Sequence, residues 1–403
     1  RSFQMSGVPL TTLPQDTGNV DDTTDAIVQN DTRGTTSSDA AQCCSNHSNN
    51  EEFEHMRSVV DSFFFYNNHH RRKLSNKVAQ FQTLSETHKK LIEPQHSEHT
   101  RQLMKCIEQN QSVLEMFICE GAAAIGPLGE KALLSHDGRS ASPDLISKIN
   151  STLKQIAREW STEGKSERDA TFGPILRELE SRFPDDLREK HHVLVPGSGL
   201  SRLAWEISCM DFTTVACEFS SYMLIVSFVL LNIISEANEF TIHPYVSGSC
   251  NSWSYADRVR SITFPDVCPP TASKSTELMS LRPGNFMSMF DGEDGKYSAV
   301  VTAWFIDTAH NVIDYIEQIN RLLKEGGVWI NSGPLTYHYS DTPEELSIEL
   351  PFEEILRIAT LRGFRIEKES RSDPSLYAAD KRSMLRYTYE CGFFVAVKES
   401  NFE

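Results

Sequence analysis

The chain has no Cys-x-x-Cys pair and no metal-ligand spacing, although nine cysteines occur in its 403 residues. That excludes the common zinc modules and dithiol redox motifs. The odd count, with cysteines set in apolar contexts, suits a reducing compartment. The one adjacent pair, Cys43-Cys44, lies in a polar stretch and reads as incidental. Positive charge is scarce. Against 56 acidic side chains stand 39 basic ones, a net charge of −17, which argues against nucleic acid or an anionic membrane as partner. Long apolar runs are missing too. The longest, Tyr222 to Ile234, is broken by Ser227 and Asn232. It falls short of the roughly 20 residues a bilayer needs and predicts a buried helix behind a sheet. No secretory signal is visible, and the opening Arg leaves room for a missing start or targeting segment. The expectation is a soluble intracellular protein, cytoplasmic, with the nucleus left open.

Residues 1–50 are rich in Ser, Thr, Asn, Asp and Gly and have little to bury, so they are expected to be disordered. From Glu51 the pattern turns helical, with Phe53, Met56, Val60 and Phe64 in register. The basic stretch Asn67-Asn-His-His-Arg-Arg-Lys73 reads as a solvated helix end or loop rather than a metal site. Ser142-Pro143 caps a helix whose stripe is Leu145, Ile149, Leu153, Ile156 and Trp160. Gln155 and Arg158 lie off that stripe, and by pattern alone they are solvated. The organisation expected is a polar tail (1–50), a helical region (51–185) and an alternating β/α domain (186–403).

The second part opens on His192-Val-Leu-Val-Pro-Gly-Ser-Gly-Leu-Ser-Arg-Leu-Ala-Trp-Glu-Ile207. Three buried-strand residues lead into Gly197 and Gly199, and Leu200, Leu203, Ala204 and Ile207 then mark one helix face. Such a turn lets a ligand reach the backbone at a helix N-terminus. Glu218 closes the next strand, about 20 residues on, where doubly wound folds hold ribose hydroxyls. A dinucleotide fingerprint wants a third glycine where Arg202 stands, and the P-loop lysine is absent. S-adenosylmethionine, which has no pyrophosphate, therefore fits better than a nicotinamide or flavin cofactor. An ordinary strand–turn–helix without ligand stays open.

Downstream, residues 264–267 read as a short strand and residues 274–296 as an acidic loop. Residues 297–306 form an unbroken apolar strand that ends at Asp307. A helix from Ala309 is expected to end at Gly326-Gly327, followed by a strand at 328–330 and Asn331. Another helix (352–361), a strand (364–368) and a long antiparallel strand (385–397) complete the chain. Alternating elements of this kind predict a Rossmann-like, mostly parallel α/β sheet with an antiparallel C-terminal strand behind a helical N-terminal region. Ligands then bind outside the carboxyl ends of the strands, on the rim shared by Gly197, Glu218, Asp307, Asn331 and His338. Asp307 can equally be a cap for the helix at Ala309.

Four strings carry a resemblance: Val195-Pro-Gly-Ser-Gly-Leu-Ser-Arg-Leu-Ala-Trp-Glu206, Phe305-Ile-Asp-Thr-Ala-His-Asn-Val-Ile-Asp-Tyr315, Gly326-Gly-Val-Trp-Ile-Asn-Ser-Gly-Pro-Leu-Thr-Tyr-His338 and Tyr387-Thr-Tyr-Glu-Cys391. With Glu159-Trp-Ser-Thr-Glu-Gly-Lys-Ser-Glu-Arg168, they make residues 51–398 resemble the carnosine N-methyltransferases. The resemblance implies an S-adenosyl-L-methionine-dependent methyltransferase that converts carnosine to anserine by methylating the imidazole of small histidine-containing peptides. A homodimer is left open. It implies that Gln155 and Arg158 reach the cofactor, against their solvated reading, together with Gly197, Gly199 and Glu218. Asp307, His338 and Tyr389 would hold the dipeptide. Ser201 stands where the family has glycine. Phe290-Asp-Gly-Glu-Asp294 is read as replacing the family's Ala-Gly-Asp-Phe adenine loop, with Glu293 and Asp294 the nearest matches. Two alternatives are a protein-histidine methyltransferase and a non-catalytic S-adenosylmethionine-binding protein.

Overall fold

The computed structural model describes residues 37–271 and 275–400. Most of the stretch expected to be disordered lies outside the described residues. From Ser37 onward, however, it belongs to the helix Ser37–Gln82.

Strands β1 (His192–Pro196), β2 (Thr213–Glu218), β5 (Met279–Pro283), β6 (Tyr297–Ala303), β7 (Leu323–Gly333), β8 (Phe364–Arg371) and β9 (Gly392–Lys398) form one seven-stranded sheet. Its order is β5-β2-β1-β6-β7-β9-β8. A separate hairpin pairs β3 (Phe240–Ile242) with β4 (Ile262–Phe264). All pairings from β5 to β7 are parallel. Only β9 runs the other way, between β7 and the edge strand β8. Arg365, Glu367, Lys368, Glu369 and Arg371 load that edge with charge, which guards its unpaired backbone.

Alternation along the strands sorts the core into two layers. Val193, Val195, Ala299, Val301, Val328 and Ile330 face the cluster shared with the N-terminal helices. Leu194, Val300 and Trp329 face the helices Val312–Leu322 and Phe352–Leu361. The apolar run 222–234 is a helix, Ser221–Asn232, buried on all sides because it lies between the sheet and the helix Gln95–Gly121. A Cβ on Gly121 would sit 2.6 Å from the Ile225 carbonyl oxygen, so glycine is what lets these two helices meet.

Several sequence expectations shift. The stretch read as loop, 274–296, contains the edge strand β5, whose short span and charged flanks hide it. The helix before β7 stops at Leu322, and Gly326 (φ +68°) lies inside β7, where the register against β6 slips. Residues 385–391 are not strand apart from a single bridge between Ser375 and Tyr389. The stretch read as strand at 264–267 is strand only at Phe264, the last residue of β4. His70, expected to be solvated, is buried in mid-helix against Tyr66. Burial, helped by His69 and Lys73, pushes its pKa down to about 4.

Candidate active site

A cavity of about 640 Å³ lies across the carboxyl ends of β1, β2, β5 and β6. The helix Pro143–Trp160 roofs it with Gln155, Arg158 and Glu159, and Tyr377 reaches in from the segment between β8 and β9.

The turn after β1 is built for close approach. Gly197 has φ +61°, and a Cβ there would land 2.2 Å from the Phe305 ring. Gly199 (φ +57°) donates its N–H to Glu218 Oε2 at 2.8 Å. Glu218 Oε1 accepts from the N–H groups of Phe219 and Ser220. Three donors leave part of a carboxylate's roughly four lone-pair sites for a ligand hydroxyl. Burial pushes the Glu218 carboxyl above its ordinary range, against the pull of those three N–H groups. Ser201 also sits in the left-handed region (φ 65°), where its hydroxyl meets those of Ser198 and Ser227. Arg202, in place of a third glycine, lies over Trp160 and Trp205 and pairs with Glu206 and Asp266.

The stripe pattern misplaced Arg158, which is only 5% exposed. Its Nη1 reaches Glu159 Oε1 at 3.3 Å, yet Nε and Nη2 are buried without hydrogen-bond acceptors. Phe172, Trp304 and Tyr377 surround the guanidinium carbon at 5.2, 5.9 and 4.8 Å. Gln155, half-buried, donates to the Tyr377 hydroxyl at 2.7 Å and keeps an unpartnered Oε1. Beside them, burial above all pushes Glu159 up to about 7; Arg158 opposes the shift and Glu218 adds to it.

Asp307 is 2% exposed and stands directly behind the wall formed by Trp304, Phe305 and Thr308. Its Oδ2 accepts from the Thr336 N–H (2.9 Å) and hydroxyl (2.7 Å), and its carbonyl accepts from the His338 N–H. It does not cap the next helix, because Asn311 does so by accepting from the Ile313 N–H. His338 is exposed and lines the cavity. Tyr389 is not on the cavity wall but makes a T-shaped contact with Trp304, which stacks on Tyr377 at 4.2 Å. Asn331, at the end of β7, is buried behind the rim with Thr302.

Glu293 and Asp294 are not brought to the cavity. Glu293 is bound by Arg282, Lys296 and the Tyr297 hydroxyl, and Asp294 pairs with Arg321 at the surface. The rim after β5 is instead made by Gly284, Asn285 and Phe286. Pro283-Gly-Asn-Phe286 repeats the glycine and phenylalanine of Ala-Gly-Asp-Phe at the same spacing, a signal missed because β5 was read as loop. Gly284 donates its N–H to the Glu218 carbonyl, which fixes this rim against β2.

A sheet of this order, with a glycine turn after β1, an acid closing β2 and a roofed cavity across both, defines a Rossmann-like methyltransferase. The chain belongs to the carnosine N-methyltransferase family, whose model matches residues 135–400. Carnosine N-methyltransferase of Mus musculus is 40% identical over 325 residues, covering 79% of this chain and 80% of that protein. The Schizosaccharomyces pombe enzyme of the same name is 36% identical over 329 residues, covering 77% and 87%. Among solved structures, a SAM-dependent methyltransferase from Aquifex aeolicus aligns over 62% of this chain and 98% of its own, with 12% identity and a TM-score of 0.35.

Proposed function

We propose that this protein transfers a methyl group from S-adenosylmethionine to the imidazole of carnosine and related small histidine-containing peptides. Family membership supports the substrate. The observation that supports the cofactor is Arg158, whose guanidinium lines the cavity with two buried N–H groups lacking acceptors. A carboxylate such as an amino-acid tail carries would satisfy them, since charge-assisted bonds to arginine are strong and geometrically exacting. The open backbone at Gly197 and the spare acceptor capacity of Glu218 fit the nucleoside half. Asn285 and Phe286, which line the cavity beyond β5, are assigned to the adenine ring.

When bound, the cofactor supplies an electrophilic methyl for in-line displacement, so catalysis depends on placement and electrostatics. At a reference pKa of about 6.5 much of an imidazole is already neutral near pH 7, and no strong base is required. Asp307 is assigned to the positive charge that grows on the ring. His338 is assigned to orienting the peptide from the cavity wall, and Tyr389 to acting on it through Trp304, which stacks on Tyr377. No described helix is long and apolar enough to cross a membrane. The cysteine pattern supports a cytoplasmic setting, and the charge of −17 supports a reading without nucleic acid.

Calorimetry with S-adenosylmethionine, followed by mass-spectrometric assay of carnosine methylation, tests both halves. Cofactor binding without product on carnosine would move the reading to histidine within proteins or to a non-catalytic binder. Failure to bind the cofactor would remove the reading altogether.

A further inference from the structure

Residues 372–391 leave the sheet after β8, cross the roof of the cavity and return to β9. Four contacts fasten this strap to the helical region. Gln155 donates to the Tyr377 hydroxyl. The Ala378 N–H donates to Glu167 Oε2 at 2.9 Å. Lys381 donates to the Glu163 carbonyl and the Ser166 hydroxyl, and Arg260 bridges Asp380 and Glu163. Three of the four thus converge on Glu163–Glu167.

Glu167 is the informative member. It is 4% exposed, and the oxygen that receives Ala378 also lies 3.8 Å from Arg158 Nε. Ala378 holds a left-handed backbone (φ 46°), an unfavourable conformation for alanine that its surroundings must maintain. The neighbouring Tyr377 stacks on Trp304 and lines the cavity. One buried carboxylate therefore joins the arginine assigned to the cofactor to the strap residue that presents the aromatic wall.

We propose that Glu167 is a positioning residue coupling Arg158 to the strap, so that ligand held by Arg158 also fixes Tyr377 at the substrate end. This rests on the cofactor role given to Arg158 above. The carboxylate holds the guanidinium by charge from 3.8 Å on its Nε side, beyond hydrogen-bond distance, so that Nε and Nη2 keep their hydrogens for the ligand. Its other hydrogen bond pins Ala378, and with it the Tyr377 ring.

The test uses the full chain and S-adenosylhomocysteine as probe, with two readouts besides activity: the dissociation constant by calorimetry, and hydrogen exchange over residues 376–381 with and without probe. In the unsubstituted protein, the probe should increase protection of that segment. Glu167→Gln, which keeps an acceptor for Ala378 but loses the charge facing Arg158, should bind about tenfold more weakly and lose the gain in protection. Its thermal midpoint in the absence of probe should change little. Wild-type affinity together with the wild-type gain in protection overturns the proposal. So does weakened binding that keeps the full gain. Glu167→Asp decides by the same criteria if the glutamine variant does not fold. Arg158→Gln separates the two ideas, because wild-type affinity there removes the cofactor role of Arg158 itself. Lost affinity in Arg158→Gln beside wild-type behaviour in Glu167→Gln removes only the coupling.

Discussion

At the scale of single residues, Asp307 shows what the structure adds to the string that contains it. The sequence left it between a helix cap and a charge facing substrate. Asn311 does the capping, and Asp307 is buried behind the cavity wall with Thr336 on one oxygen. Asp307→Asn keeps an acceptor for Thr336 and removes the charge. Turnover of carnosine should fall by roughly 30-fold, about 2 kcal/mol of transition-state stabilisation, while cofactor affinity and melting temperature hold. Near wild-type turnover in steady-state assays would take Asp307 out of the chemistry. Glu159 makes a second, independent prediction. Its pKa is raised from an ordinary 4.5 to about 7, so the folded state holds a proton that the unfolded state releases. The stability this contributes is fully present below about pH 4.5 and is lost as pH rises through about 7. Denaturation of the cofactor-free protein at pH 5 and 7.5 should show this decline, on the order of 1 kcal/mol per pH unit within that window. Glu159→Gln should flatten it. Parallel curves for the two proteins would show that the group is paired more tightly than its burial suggests.

At the scale of elements, legibility followed the number of faces a segment buries. The strands β1, β2 and β6 are buried on both sides and read directly as apolar runs. The amphipathic helices Val312–Leu322 and Phe352–Leu361 read from their stripes. β5 was lost because it is short, lies at an edge and is flanked by charge, and with it went the rim residues Asn285 and Phe286. Gln155 and Arg158 were misread for a different reason. The stripe of Pro143–Trp160 packs on the core, but its opposite face is covered by a strap more than two hundred positions away. No local period carries that information; the resemblance implied only that the two residues reach a cofactor. Tertiary context also reverses a propensity argument at Gly121. Alanine should favour that helix by about 1 kcal/mol. A Cβ placed 2.6 Å from the Ile225 carbonyl oxygen must instead force the two helices apart. Gly121→Ala should therefore destabilise by about 1–3 kcal/mol in urea denaturation. An unchanged or raised midpoint would mean that the helix pair shifts freely.

At the scale of the molecule, the sequence suggested a boundary near residue 185 between a helical region and a catalytic sheet. In the structure one hydrophobic cluster runs through both. Val59, Val60, Phe63, Leu114 and Phe117 of the N-terminal helices share it with Ile225, Val229 and Leu230 and with the strand residues Val193 and Val301. The helical region is thus half of a core as well as the roof of a site. The family model begins at residue 135 and so omits Ser37–Gln82 and Gln95–Gly121. A fragment 135–403 would keep every residue assigned to cofactor and peptide. It would also strip cover from the Ser221–Asn232 helix, which has no polar face to offer water. Uncovering even two fully buried aliphatic side chains costs about 3–6 kcal/mol, against a net stability of about 5–15 kcal/mol for a whole domain. The fragment should therefore lack a cooperative thermal transition in near-ultraviolet circular dichroism and should fail to bind S-adenosylhomocysteine. Adding the cofactor analogue should not restore it, because the missing contacts cover Tyr222 and Ile225, which are not among the cavity-lining residues. A cooperative transition with full-length affinity would show that the first helices are an accessory layer, and the boundary near residue 185 would then be physical.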